Sequence, residues 1–190
     1  MPDFYQGTEL WDLTLVDPDN RRPIDFDLRC RMARELDPLV REARAGDTGA
    51  APRVRELLDA WPDGRIKLFT TLAALGLRRE KPDLFLGGSY VPLRTSLPPA
   101  AEAIAFERHD AGGSVIAIAP TLTRAIAGGH FAVGQAWAGG RVDLPAARRD
   151  ADFLNVLTGE RAGVMFDETG PYLRLADLLR TLPIALLISP

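Results

Sequence analysis

Pro2-Asp3-Phe4-Tyr5-Gln6-Gly7-Thr8-Glu9-Leu10-Trp11, followed by Asp17-Pro18-Asp19-Asn20-Arg21-Arg22-Pro23, is the stretch on which the reading of this chain turns. Aromatic, amide, acidic and guanidinium side chains crowd between turn-forming Gly and Pro residues. That mixture suits a sugar cleft, where rings stack on pyranose faces and polar groups read hydroxyls. Chain termini are ordinarily frayed and poor in binding groups. A rich site from position 2 onward therefore leads us to expect an ordered scaffold ahead of it.

Within this stretch, Tyr5 or Trp11 can stack on a sugar ring, while Gln6 and Glu9 can exchange hydrogen bonds with hydroxyls. The plainer alternative is a surface loop with a buried Trp, in which Glu9 only orients its neighbours. From Asp17 to Pro23 the two prolines and the Asx-rich centre favour a rigid turn that projects Asp19, Asn20, Arg21 and Arg22. An Arg paired with Asp17, Asp19 or Asp25 would simply hold that loop. The reading adopted has one Arg structural and one facing a ligand.

Composition narrows the function classes. A chain of 190 residues with 46% hydrophobic and 26% charged residues can bury a core as one large domain or two small ones. The formal net charge of −3 gives no basic face for phosphates, so no nucleic-acid partner is expected. The single cysteine, Cys30, excludes an internal disulfide, and the start lacks a secretory signal pattern, so a cytoplasmic setting is expected. No apolar run approaches the ~20 residues that span a bilayer, so no membrane partner is expected.

Hydrophobic spacing places the secondary structure. Asp25 or Asp27 can cap a helix carrying Leu28, Met32 and Leu36, ending near Asp37; Asp37-Pro38 then starts a second helix that ends at Gly46. Pro52 opens another helix, with Val54, Leu57, Leu58 and Trp61 on one stripe, closed by Pro62-Asp63-Gly64. A helix over about Arg65 to Arg79 is apolar around most of its circumference and wants burial on several sides, ending at Pro82 and Gly87-Gly88. Strands are expected at Tyr90 to Leu93, Ala103 to Arg108, Val115 to Ala119, Arg141 to Leu144 and Ile184 to Ile188. Asp110-Ala111-Gly112-Gly113 forms a hairpin turn, and one amphipathic helix over Leu173 to Leu182 interrupts the strands. A small antiparallel β-sandwich is the natural solution.

Other conspicuous residues carry less. His109 and His130 lack Cys or carboxylate neighbours at metal-ligand spacing, so no metal is expected. Gly128 to Gly134 lacks the phosphate-loop pattern, and no cofactor is expected. Cys30 sits beside Leu28 and Met32 as a packing or surface residue. Arg29, Arg31 and Arg34, alternating with Glu35, Asp37 and Glu42, read as a solvated helix face.

Tyr5-Gln6-Gly7-Thr8-Glu9-Leu10-Trp11-Asp12, followed by Leu15-Val16-Asp17-Pro18-Asp19-Asn20-Arg21-Arg22-Pro23, resembles the end of the catalytic barrel in the α-amylase superfamily. Within that superfamily it is most similar to the maltooligosyl trehalose synthases. The resemblance continues through Leu77-Arg78-Arg79-Glu80-Lys81-Pro82-Asp83-Leu84-Phe85 and Leu157-Thr158-Gly159 to Leu182-Pro183-Ile184-Ala185-Leu186-Leu187, more loosely after residue 95.

It implies an α+β chain in which residues 1–86 form the end of a (β/α)8 barrel, with last strand, substrate loop and helices. Residues 87–190 would form a C-terminal β-sandwich domain. It implies a maltooligosaccharide substrate held by Tyr5, Gln6, Glu9, Trp11, Asp17, Asp19, Asn20, Arg21 and Arg22. The catalytic carboxylates would lie on earlier barrel strands absent from this sequence, so the expected partner is the N-terminal barrel portion and the isolated chain is expected to be inactive. Two other readings stand beside it. One is a stand-alone carbohydrate-binding or domain-packing sandwich with Trp137 as its aromatic; the other is part of another α-glucan hydrolase or transferase.

Overall fold

A computed structural model describes residues 6–97, 101–148 and 151–189. Within them the chain is α+β, with six α-helices and two antiparallel sheets. From Gln6 to Arg22 the backbone consists of turns, bends and a 3-10 turn at Asp19–Arg21, with no strand.

The first half is helical: α1 (Phe26–Arg44), α2 (Ala50–Asp59), α3 (Arg65–Glu80) and the short α4 (Pro82–Gly87). Asp25 caps α1 by accepting the Leu28 N–H at 2.7 Å. The helical pair expected around Asp37-Pro38 is instead this one continuous helix. Leu36, Leu39, Val40 and Ala43 form a single buried stripe across the proline, and that burial outweighs the lost N–H. Pro38 itself faces solvent, where water can serve the carbonyl left without its helical donor. Asp37 does not cap anything there; it pairs with Arg41 one turn on. Pro82, expected to follow the end of a helix, opens α4, as its fixed φ allows at a first turn.

The second half is mainly strands. A six-stranded sheet runs in the order β1 (Ser89–Pro92), β3 (Glu102–Asp110), β4 (Gly113–Thr121), β10 (Ala185–Ser189), β6 (Asp152–Asn155), β7 (Arg161–Gly163). A four-stranded sheet runs β2 (Thr95–Ser96), β5 (Arg141–Asp143), β9 (Gly170–Arg174), β8 (Met165–Asp167). The β3–β4 hairpin closes with Asp110 opposite Gly113, leaving Ala111-Gly112 as the turn, and the Asp110 carboxylate accepts the Gly112 N–H at 2.7 Å.

Short helices α5 (Arg124–Ala127) and α6 (Leu175–Leu178) sit in the connections. The helix expected over Leu173 to Leu182 is only α6. Leu173 belongs to β9, because its side chain is needed in the core between the sheets. Leu175, Leu178, Leu179 and Leu182 do face inward. Strands β2 and β6 to β9, of two to five residues each, lie outside the strands expected from the sequence, and β9 overlaps the start of the expected helix.

Three hydrophobic clusters hold these parts. Ile116, Ile118, Phe153 and Leu187 of the larger sheet meet Val142 and Leu173 of the smaller one. Trp137 is fully buried there, its indole N–H donating to the Ala132 carbonyl at 2.8 Å. The stripes of α1, α2 and α3 form a second cluster, into which Leu157 and Leu182 reach from the strand-rich half. Leu77 and Leu84 meet Val115 and Val156 in a third.

The seam is tightest at Leu157-Thr158-Gly159. Gly159 has φ +74°, and a Cβ there would lie 2.3 Å from the Asp47 carbonyl oxygen, so only glycine lets the two halves approach so closely. Leu157→Ala is expected to lower stability by about 2–5 kcal/mol, and Gly159→Ala by a comparable amount, in urea unfolding. A loss under about 0.5 kcal/mol, the range of surface substitutions, would contradict this seam.

Candidate functional site

Tyr5 lies outside the described residues; the other eight expected site residues occupy three surroundings. Gln6 is exposed next to the turn at Gly7. Glu9 folds back, its carboxylate accepting the Gly7 N–H and the Arg29 Nε–H, each at 3.1 Å. Arg29 completes a clamp by donating through Nη2 to the Gly7 carbonyl at 2.6 Å and through Nη1 to the Asp25 carbonyl at 3.1 Å. Arg29, expected on a solvated face, is therefore mostly covered, because it is the cation that anchors the N-terminal segment to α1. Gly7 has φ +96°, and a Cβ there would collide with Ile24.

Partial burial pushes the Glu9 carboxyl up. The hydrogen bonds from Gly7, its own backbone N–H and Arg29, with the Arg29 charge, outweigh that and hold it below its ordinary value. A general acid needs the opposite displacement, so Glu9 is built to stay ionised and to position the segment.

The Asp17 to Arg22 loop is a self-contained pair of ion bridges. Arg21 makes a bidentate contact with Asp17, both N···O distances 2.6 Å, and Arg22 pairs with Asp19. Asp19 also accepts the Leu15 N–H at 2.9 Å, and Asn20 is half-buried within the turn. Both guanidiniums thus hold the loop while remaining exposed. Pro18, Asp19, Arg21 and Arg22 line a shallow hollow of about 370 Å³.

Trp11 stands elsewhere. Its indole N–H donates to the Trp61 carbonyl, and the two rings meet edge to face with centroids 6.1 Å apart. Trp61 meets Phe131 the same way at 6.2 Å. Lys67 donates to the Leu10 carbonyl at 2.9 Å and lies 5.4 Å from the centre of the Trp11 ring.

These rings, with Arg55, Asp59 and His130, line a cleft of about 540 Å³. A second hollow of about 260 Å³ shares Trp11 and Phe131 and continues past Thr70, Thr71 and Pro183. The cleft and the Asp17–Arg22 hollow share no lining residue.

Trp61 and Phe131 were missed as site residues. Trp61 was placed on the buried stripe of α2, yet it starts a 3-10 turn and is about half exposed. Phe131 lay unremarked in a Gly-rich segment; a large aromatic beside Gly128-Gly129 was the signal available. Trp137, the aromatic expected to serve a stand-alone sandwich module, is enclosed in the core and has no face for a ligand.

Over 110 residues, 58% of its length, the chain is 39% identical to the protein named "Putative maltooligosyl trehalose synthase" in Mycobacterium tuberculosis, in both the CDC 1551 / Oshkosh and the ATCC 25618 / H37Rv strains. The likeness read from the sequence is thereby shown. The chain matches about a ninth of the length of those relatives, 11%. No family model matches the chain, and no solved structure does.

The clamp carries a pH signature. Because the folded Glu9 carboxyl is held low, its stabilisation is fully present above the ordinary glutamate value of about 4.3 and fades as pH falls through the folded value. Wild type is expected to be more stable than Glu9→Gln at pH 7, with the gap narrowing as pH is lowered below about 4.3 in paired urea titrations. A gap that is constant or widens on acidification would refute the clamp.

Proposed function

We propose that this chain is the C-terminal portion of a maltooligosyl trehalose synthase, an intramolecular transglucosylase of trehalose biosynthesis. Such an enzyme isomerises the reducing-end α-1,4 linkage of a maltooligosaccharide to α,α-1,1. The observation that carries the reading is the 39% identity over 110 residues to a protein of that name. The motif Tyr5-Gln6-Gly7-Thr8-Glu9-Leu10-Trp11-Asp12 supports it from the sequence side. In this reading residues 1–86 are the end of a (β/α)8 catalytic barrel, residues 87–190 are a β-sandwich, and the enzyme works in the cytoplasm. Among the described residues no helix is long and apolar enough to cross a membrane.

Retaining glucan chemistry uses one carboxylate as nucleophile and a second carboxyl group as acid and then base, about 5 Å apart. Both belong to earlier barrel strands in this reading, so the partner is the barrel portion that precedes these residues. Leu13, Leu15 and Val16 favour such a partner, since three large apolar side chains exposed along one short segment mark a surface that another part covers. The contribution of this chain is to hold the sugar. Tyr5, Gln6, Glu9 and the Asp17, Asp19, Asn20, Arg21 and Arg22 loop keep the released glucose close and oriented, while Trp11, in its separate cleft, holds another part of the glucan, so that transfer outruns escape to water.

Co-expression with the barrel portion of a full-length relative tests this. With maltopentaose, a non-reducing product is expected only when both polypeptides are present, and the double substitution Asp19→Ala, Arg22→Ala should lower kcat/KM at least about tenfold. Turnover by the isolated chain, or none in a soluble complex of both parts, would overturn the proposal.

A further inference from the structure

The cleft between Trp11, Trp61 and Phe131 has a chemistry of its own. The three residues are 44%, 46% and 42% exposed, although aromatic rings of this size are normally drawn into a core or an interface. Each is nonetheless held in place. Trp11 is fixed by its bond to the Trp61 carbonyl and by Lys67, and Trp61 makes T-shaped contacts with both Trp11 and Phe131. Edge-to-face contact leaves ring faces unstacked against each other, and rigid exposed faces lose little entropy when a ligand covers them.

The rim selects the ligand class. Arg55 and Asp59 pair at 2.9 Å, Nε to Oδ1, so they offer donors and acceptors with no net charge. Lys67 is already engaged by the Leu10 carbonyl and the Trp11 ring. An anion would find no uncommitted guanidinium here, and a wholly apolar ligand would strand Arg55, Asp59 and His130. A neutral ring with apolar faces and a hydroxylated edge satisfies both the walls and the rim. The volume, about 540 Å³, lies in the range of small-ligand pockets. The adjoining hollow of about 260 Å³ extends the same surface past Thr70 and Thr71. Their hydroxyls donate to the Ile66 and Lys67 carbonyls and keep their lone pairs for accepting. Two hollows in series fit an oligomer of rings better than a single one.

We infer that this cleft binds a neutral oligosaccharide, seating one pyranose against the corner that Trp61 and Phe131 form and the next along Trp11. The choice of an α-1,4-glucan as ligand rests on the function proposed above; the saccharide class rests on the cleft.

The chain's tryptophan fluorescence reads this directly, because Trp137 is enclosed and provides a constant background. Titration with maltopentaose is expected to give a saturable change in emission. Trp61→Ala and Phe131→Ala should each weaken binding by about tenfold or more. Phe131→Ala removes no indole, so it leaves the reporter intact, and Phe131→Leu serves if the alanine variant does not fold, as judged by thermal melting. No saturable binding of any oligosaccharide, or affinity unchanged by substitution at both positions, would overturn the inference. Cellopentaose is titrated in parallel. Binding of cellopentaose but not maltopentaose, lost on Phe131→Ala, upholds the cleft and removes the α-glucan reading. Binding of maltopentaose with the same sensitivity upholds the cleft even if co-expression yields no non-reducing sugar.

Discussion

Leu157 and Leu182 reach from the strand-rich half into the cluster formed by α1, α2 and α3, and the rest of the arrangement follows from that insertion. Four helices whose stripes closed only on one another would leave α3 half-covered, since its apolar residues occupy most of its circumference. The two leucines, with Val115 and Val156 against Leu77 and Leu84, supply the missing neighbours. Approach of the halves is limited by backbone rather than side chain, because Gly159 lies against the Asp47 carbonyl where no Cβ fits. A shared core closed by a backbone contact has little freedom to slide.

That rigidity is what creates a cleft. Trp11 and Trp61 belong to the helical half and Phe131 to the connection after α5; they meet only because the seam sets both sides in register. A second constraint fixes the N-terminal segment, which has no strand in the described residues to hold it. Arg29 on α1 grips Glu9 and the Gly7 carbonyl, and Leu10 beside them packs on the helical cluster. The segment is thus tied at three successive points before Trp11 is presented.

The sequence was most legible where a pattern ran long. The apolar periodicity of α3 and the Asp110-Ala111-Gly112-Gly113 turn, with the long strands on either side of it, could be read directly. It misled at Pro38, where a local breaker lost to a continuous buried stripe, and at Leu173, where a strand needed a residue that helical spacing also claimed. Site residues followed the same division. Trp11 stood out by its company, but Arg29, Trp61 and Phe131 acquire meaning only from partners 20 or more residues away, which no local window contains. Trp137 shows the converse, since isolation in a Gly-rich stretch resembled exposure and proved to be a tight turn around a core residue.

The ionic pattern defines what chemistry these residues can supply. Asp17, Asp19, Glu9 and Asp59 are each held by an arginine: Arg21, Arg22, Arg29 and Arg55 in turn. For Glu9 that pairing, with the hydrogen bonds from the backbone, holds the carboxyl below its ordinary value despite partial burial, whereas a proton donor at neutral pH needs surroundings that favour the neutral form. All four carboxylates, each engaged by a guanidinium, fix local structure and can accept hydrogen bonds from hydroxyls. Recognition demands groups that hold their positions and charge states, while acid–base work demands at least one that changes state. The described surface around Trp11 and the Asp17–Arg22 loop is made of such paired, fixed groups, which suits recognition.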